Sequence, residues 1–300
     1  MQRFQTKLRD LRPEGEGGMM GLEFAPDFEK SNRVFVCYSY WKGGTESSTN
    51  RRNRVSSFVI KGNALEEDKT LLDDMLGWSN HNGCRVVLSP DNTKLFVTMG
   101  DAAAFPPGPQ KAQDLNSKAG KTYRINLDGS VPGDNPFPNS PVWSLGHRNA
   151  QGLAFHPATG ALWSTEHGPD VKDELNVIKK GKNYGWPNCQ GTKAESSGCS
   201  VQNYEAAVKS YNPDNTVAMS DMTFYTGNAF RDWKNDLFFV TLKTGRVYRL
   251  ELNGEQIARE QILVDGDYGR LRDITVGSDG FLYISTDSGV NSSIIRMQPR

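Results

Sequence analysis

One histidine of the four in this chain stands in a loop with the composition of a ligand-facing turn. His81 lies in Ser79-Asn-His-Asn-Gly-Cys-Arg85, just before an apolar run. Imidazole exchanges protons near neutral pH, so a histidine there suits a general base; the plainer alternative is a hydrogen-bonded loop residue. Gly146-His-Arg-Asn149 holds the equivalent place before the next run. Arg148 offers a planar cation and Asn149 a donor and an acceptor, a set that suits a carboxylated or quinonoid ligand. Arg270 and Arg272 alternate on an extended segment and therefore face the same way, and Lys243 sits in Thr241-Leu-Lys-Thr-Gly245. Each cation alone reads as surface charge; their shared register points to a convergent anion site. Glu166-His-Gly-Pro169 is of another kind. Gly168 and Pro169 expose backbone carbonyls, hard oxygen donors of the sort calcium takes. Glu174 and the loop Asn183-Tyr-Gly-Trp-Pro187 add more oxygen.

The elements that must position these residues are strands. Short β-branched and aromatic runs bounded by Gly, Asn and Asp dominate, as in Arg33–Tyr40, Lys94–Met99, Ala161–Thr165, Asp236–Thr241 and Phe281–Thr286. Asp128-Gly129 and Asn253-Gly254 read as tight hairpin turns. The runs recur. Gly21-Leu-Glu-Phe-Ala-Pro-Asp27, Val86-Val-Leu-Ser-Pro-Asp91, Gly152-Leu-Ala-Phe-His-Pro157, Met222-Thr-Phe-Tyr225 and Ile274-Thr-Val-Gly-Ser-Asp279 each precede a strand. Aligning Phe24, Leu88, Phe155, Phe224 and Val276 gives five repeats spaced about 50–70 residues apart, each with room for about four strands, which predicts the blades of a β-propeller. A β-solenoid is the second choice, since its repeats are shorter. The whole of 1–300 reads as a single all-β domain. Arg51–Arg54 reads as a solvated loop turn.

With 36% apolar residues, Gly 30 and Pro 15, the chain fits a turn-rich globular protein. Formal charge of +0 argues against nucleic acid as the main partner. No apolar run is long enough for a membrane span, and Met1–Gly18 has no apolar signal core. Four cysteines allow three pairings. Cys189–Cys199 closing a Gly- and Ser-rich loop is the favoured one, and four free thiols are the alternative. Walker, GxSxG, HExxH and nicotinamide-type glycine motifs are absent from the sequence.

At these residues the chain resembles the soluble quinoprotein glucose dehydrogenases, and more closely the aldose sugar or sorbosone dehydrogenases. The resemblance runs from Gly15 to the C-terminus. It rests on Gly15-Glu-Gly-Gly18, Pro26-Asp-Phe28, His81-Asn-Gly83, Tyr123-Arg-Ile-Asn-Leu-Asp-Gly129, Gly146-His-Arg-Asn-Ala-Gln-Gly-Leu-Ala-Phe155, Glu166-His-Gly-Pro169, Asp173-Glu-Leu-Asn176 and Asn183-Tyr-Gly-Trp-Pro187. It implies a six-bladed propeller, pyrroloquinoline quinone over a calcium ion, and oxidation of an aldose C1 hydroxyl to the lactone by hydride transfer to the quinone. It implies His81 as the base and Arg148 as stabiliser of charge on the cofactor, with Asn149, Lys243, Arg270 and Arg272 binding that cofactor. The carbonyls of Gly168 and Pro169 would hold one calcium, Glu174 and the Tyr184 carbonyl a second, and Glu16 would contact substrate beside His81. An external electron acceptor, a monomer or homodimer, and a periplasmic or extracellular location also follow from the resemblance.

The chain departs from the family in two respects. The first blade is largely missing, so about five are visible. Cys84 stands where relatives usually have glycine, and a side chain there is expected to crowd the pocket. Two rival classes remain open: a non-catalytic propeller binding sugar or protein, and a calcium-dependent lactonase-type hydrolase. The largely cationic candidate set favours an anionic cofactor over the hydrolase.

Overall fold

The residues that align between repeats turn out to close one edge strand of each sheet. A computed structural model describes residues 5–6, 10–103, 105–211 and 216–299, arranged as five sheets. The chain divides into two compact units, Met1–Asn149 with Lys180–Asn188 and Val201–Asn203, and the remainder.

The first unit holds two sheets. One comprises β1 (Gln5–Thr6), β2 (Met19–Phe24), β3 (Arg33–Trp41), β4 (Arg51–Lys61) and β5 (Ala64–Leu76), in the order β1-β5-β4-β3-β2. The other is the meander β6 (Val86–Leu88), β7 (Lys94–Met99), β8 (Lys121–Asn126) and β9 (Val142–Leu145). The second unit holds three more: β10 (Ala150–Phe155), β11 (Leu162–Glu166), β12 (Asp173–Ile178) and β13 (Lys209–Tyr211); then β14 (Met219–Phe224), β15 (Leu237–Thr241), β16 (Arg246–Asn253) and β17 (Gln256–Asp265); then β18 (Leu271–Val276), β19 (Leu282–Thr286) and β20 (Ile294–Met297). These are five blades of β-propeller type. Phe24, Leu88, Phe155, Phe224 and Val276 end β2, β6, β10, β14 and β18, and the five runs read as strands become β3, β7, β11, β15 and β19.

Burial explains the pattern. β3, β7, β11 and β15 are covered on both faces, so they read as continuous apolar runs rather than alternating ones. β17 is exposed along most of its length and carries the charges that suit an outer edge. In the first unit β2 packs against β6, and in the second β14 packs against both β10 and β18. Gly21 marks such a contact: a Cβ there would lie 2.6 Å from the Cys84 carbonyl oxygen, so a larger residue would force the strands apart. Phe35, Cys37, Val97 and Ile125 join one core in the first unit; Trp163, Phe239 and Leu250 join another in the second. Each such side chain contributes about 1.5–3 kcal/mol on burial.

The first strands of four blades share an irregularity. Register slips between Met19 and Leu22, Ala150 and Gly152, Met219 and Met222, and Leu271 and Asp273. A bulged residue has no opposite partner and is turned out of the ladder. Gln151 and Arg272 are two of these residues.

Two expectations need correction. Arg51–Arg54 is the start of β4, not a solvated turn. The guanidinium groups lie over aromatic rings, Arg51 over Trp41 at 4.9 Å and Arg54 over Tyr40 at 3.9 Å, and Glu14, Asp10 and Asp73 neutralise them. Aromatic faces and carboxylates let these long cations line a strand. Nor does Cys84 crowd a pocket. It is buried and bonded to Cys37, while Cys189 pairs with Cys199 as read from the sequence.

Candidate active site

In the first unit, the loop before β6 and the end of β7 meet around one carboxylate. Asp101 follows Met99-Gly100 and is 2% exposed. Its Oδ1 lies 2.8 Å from Nδ1 of His81 and accepts the backbone N–H of Ala103 at 2.8 Å. Its Oδ2 accepts the indole N–H of Trp186, also at 2.8 Å. An ionised carboxylate can only accept, so His81 must carry its proton on Nδ1 and leave the Nε2 lone pair free.

The backbone holds this geometry firmly. His81 sits at φ 56°, a left-handed conformation that costs a residue with a Cβ about 1 kcal/mol or more. Three contacts fix it there. The His81 N–H donates to Glu16 Oε2 at 2.9 Å, the His81 carbonyl accepts from Ala102 N–H at 3.1 Å, and Asn82 ties the loop back on Trp78 through its side chain. Gly100 allows the approach: a Cβ there would sit 2.0 Å from the His81 carbonyl oxygen. Glu16, expected to touch substrate, is thus also a backbone anchor for His81.

Arg148 and Asn149 join the same cluster. The Arg148 carbonyl accepts from Asp101 N–H at 2.7 Å, and its guanidinium lies 5.3 Å from the Trp186 ring centroid. Asn149 is fully buried; its Oδ1 accepts from Gly83 N–H at 3.1 Å, while its Nδ2 has no hydrogen-bond partner among the described residues. A buried donor left unpaired is costly unless a ligand supplies the acceptor. Tyr184 is buried nearby in sequence, stacked on His147 at 4.6 Å, with its N–H on the Leu145 carbonyl.

In the second unit, Arg272 and Arg270 converge on one carboxylate, not through strand alternation but with Arg272 at the β18 bulge and Arg270 just before the strand. Both reach Asp287, Arg272 at 2.6 Å and Arg270 at 3.5 Å, and Arg272 also donates to Gln151 Oε1 at 3.0 Å. Asp287 therefore holds two cations at the ends of β18 and β19, and their charge holds its carboxyl below the usual range despite burial. Lys243 lies on the exposed turn between β15 and β16.

Gly168 and Pro169 form the turn after β11, closed by Gly168 N–H donating to Asp173 Oδ1 at 2.8 Å. Asp173 Oδ2 accepts from Thr216, Val217 and Ala218, so this carboxylate is committed to the turn. Glu174 is directly opposite Glu166 in the β11–β12 ladder, and both are buried. Burial, with the Glu166 charge added, pushes the Glu174 carboxyl well above its ordinary range. Glu174 accepts from Gly191 N–H and from Asn176 Nδ2, and the buried Asn176 Oδ1 has no partner among the described residues. Two buried carboxylates and an unsatisfied amide oxygen make an oxygen-only set of the kind a hard cation takes.

The family model for glucose/sorbosone dehydrogenases matches residues 3–296. The chain belongs to the glucose/sorbosone dehydrogenase family. The aldose sugar dehydrogenase YliI of Escherichia coli is 33% identical, over 97% of this chain and 80% of that protein. Quinoprotein glucose dehydrogenase B of Acinetobacter calcoaceticus is 29% identical, over 93% of this chain and 74% of its own length. Among solved structures, the PQQ-bound aldose sugar dehydrogenase of Streptomyces coelicolor matches with a TM-score of 0.80 and 29% identity, covering 98% of this chain and 83% of that one. Resemblance read from the motifs thus names the right family.

The family motifs do not include every residue that these sites use: Asp101 and Asp287 lie outside them, while Gln151, Glu166 and Trp186 lie inside the motifs but carry no role in the sequence reading. A signal for three of them lies in the repeats: Gly100-Asp101, Thr165-Glu166 and Thr286-Asp287 each place a carboxylate at the exit of a blade's second strand.

Proposed function

We propose that this member of the family is a quinone-dependent aldose dehydrogenase that oxidises the C1 hydroxyl of an aldose to the lactone. The observation that carries the reading is the His81–Asp101 pair, with Nδ1 committed to the carboxylate and Nε2 left free. The residues present fit pyrroloquinoline quinone. Asn149 Nδ2 is a buried donor awaiting an acceptor, and Arg148 is a cation braced by Trp186. In the second unit, Arg270 and Arg272 gather on Asp287 as a cationic pair with the chemistry to take a carboxylate, and Lys243 is exposed on its own turn. When bound, the cofactor supplies a two-electron acceptor.

The chain's own residues do the rest. His81 Nε2 takes the proton from the sugar's C1 hydroxyl, and the Asp101 carboxylate stabilises the imidazolium that forms. Glu16 keeps the His81 backbone in place and presents its second carboxylate oxygen toward a sugar hydroxyl. Arg148 puts fixed positive charge where negative charge grows. Glu174, with Glu166 and Asn176, has the donor chemistry for calcium, and the carbonyls of Gly168 and Pro169 are the candidates for another ion. Two disulfides favour an oxidising compartment, in keeping with a periplasmic or extracellular location.

The test is titration of purified apoprotein with pyrroloquinoline quinone and calcium, followed by aldose-dependent reduction of a dye as external acceptor. The expected result is a shifted quinone absorbance and turnover with aldoses. An unchanged quinone spectrum would overturn the reading.

A further inference from the structure

We propose that the Cys37–Cys84 disulfide is a positioning device for His81, a covalent tether that holds the loop presenting the base. The proposal rests on the reading of His81 as that base. Cys37 is in the middle of β3, fully buried and paired with Val55 of β4, so it is an immobile anchor. Cys84 is 3% exposed and follows His81-Asn-Gly83 directly, two residues before β6 begins. The bridge closes a span of 47 residues, and only the short stretch from His81 to Cys84 separates it from the imidazole.

The other fastenings of the loop are hydrogen bonds, among them His81 N–H to Glu16, Gly83 N–H to Asn149 Oδ1, Ala102 N–H to the His81 carbonyl, and the buried Asn82 side chain to Trp78 and Asn53. Each contributes about 1 kcal/mol net, so each opens on its own. Two of them rest on groups that also face ligands, Glu16 the sugar and Asn149 the cofactor. They must therefore tolerate rearrangement when ligands arrive. The disulfide is the covalent fastening between His81 and β6, and no ligand competes for it. Its position matters as much as its strength. Gly21 lets β2 lie against the Cys84 carbonyl, and Arg85 and Thr98 are joined by two hydrogen bonds to the next strand, so Cys84 is where the loop enters rigid structure. The left-handed backbone of His81 needs such a fixed entry point, because the strained conformation persists only where its surroundings over-determine it.

The experiment is the C37A/C84A variant, with C37V/C84A as a volume-restoring second variant should the first fail to fold. Hydrogen exchange reports on the loop through the amides of His81 and Gly83, both hydrogen-bonded in the native protein, and on the core through β7 and β8. We expect exchange at His81 and Gly83 to quicken about tenfold with β7 and β8 unchanged. We expect kcat with quinone and calcium to fall about tenfold or more while KM for the aldose holds, since a misplaced base costs the chemical step rather than binding. Unchanged loop exchange, or quickened exchange with wild-type kcat, would overturn the proposal. Should the wild-type protein reduce no dye at all, the enzymatic reading fails by itself. The tether is then decided by the exchange of the His81 and Gly83 amides, which must quicken in the variant.

Discussion

Asp101 joins His81 and Trp186: one carboxylate oxygen is 2.8 Å from the imidazole Nδ1 and the other accepts the indole N–H at the same distance. The residue that orients the base is therefore itself oriented, and from a loop far away in sequence. Asp101 is 20 residues from His81 and 85 from Trp186.

Asp101→Asn follows directly. An asparagine in that place can turn its amide toward Nδ1 and so leave the proton on Nε2, the wrong tautomer for a base. Turnover should fall on the order of a thousandfold, with quinone binding close to wild type. His81→Ala should abolish turnover and likewise retain the cofactor. Steady-state kinetics beside a quinone absorbance titration separate the two effects. A wild-type kcat in Asp101→Asn would show that His81 is not the base.

Trp186→Phe tests the second support of the same carboxylate. Phenylalanine keeps an aromatic face for Arg148 but has no N–H for Asp101. A hydrogen bond to a charged group is worth about 1.5–3 kcal/mol, so kcat should drop about tenfold to a hundredfold with KM little changed. Equal losses in cofactor affinity and kcat would instead assign Trp186 to the binding surface.

Much of this fold is visible in the chain. The closing residues Phe24, Leu88, Phe155, Phe224 and Val276 mark one edge strand in all five sheets because each apolar run stops there at a turn, although only Phe224 is buried. His81, Arg148 and Asn149 are visible because they precede those strands. What escapes is long-range pairing. No local feature of Cys84 points to Cys37, and no local feature of Gly-Trp186-Pro points to Asp101. Arg51–Arg54 misleads for a related reason: its aromatic and carboxylate partners come from distant stretches, so the run looks solvated when read alone.

Glu174 and Glu166 face each other across a ladder with little water to separate their charges. A divalent cation would neutralise both and satisfy Asn176 Oδ1. Calcium should raise the melting temperature of the chelated protein in proportion to the logarithm of its concentration above Kd. In Glu174→Gln that response should be lost, while the calcium-free melting temperature should change little, because burial and the Glu166 charge already favour the protonated, uncharged Glu174 that glutamine mimics. Calorimetry with and without chelator checks both parts. A retained calcium response in Glu174→Gln would place the ion elsewhere.

Lys121 sets a different pH dependence. It is fully buried in the first unit, and its ammonium donates to the carbonyls of Lys111, Ala112 and Ala119 at 2.7–3.1 Å. Burial lowers its pKa from the ordinary 10.5 to about 7, with the Asp114 charge opposing. Between those two values the unfolded chain binds a proton that the folded chain does not. Stability from this group therefore rises with pH from about 7 toward 10.5, and is lost as pH falls through about 7. Lys121→Met removes the titration. It also strands three carbonyls, so the variant should melt lower at every pH. Its melting temperature, followed from pH 6 to pH 10 (roughly the window that linkage sets), should lack the upward slope that Lys121 gives the wild type. A slope identical in both proteins would show that the lysine keeps its proton across this range, held by its three carbonyls.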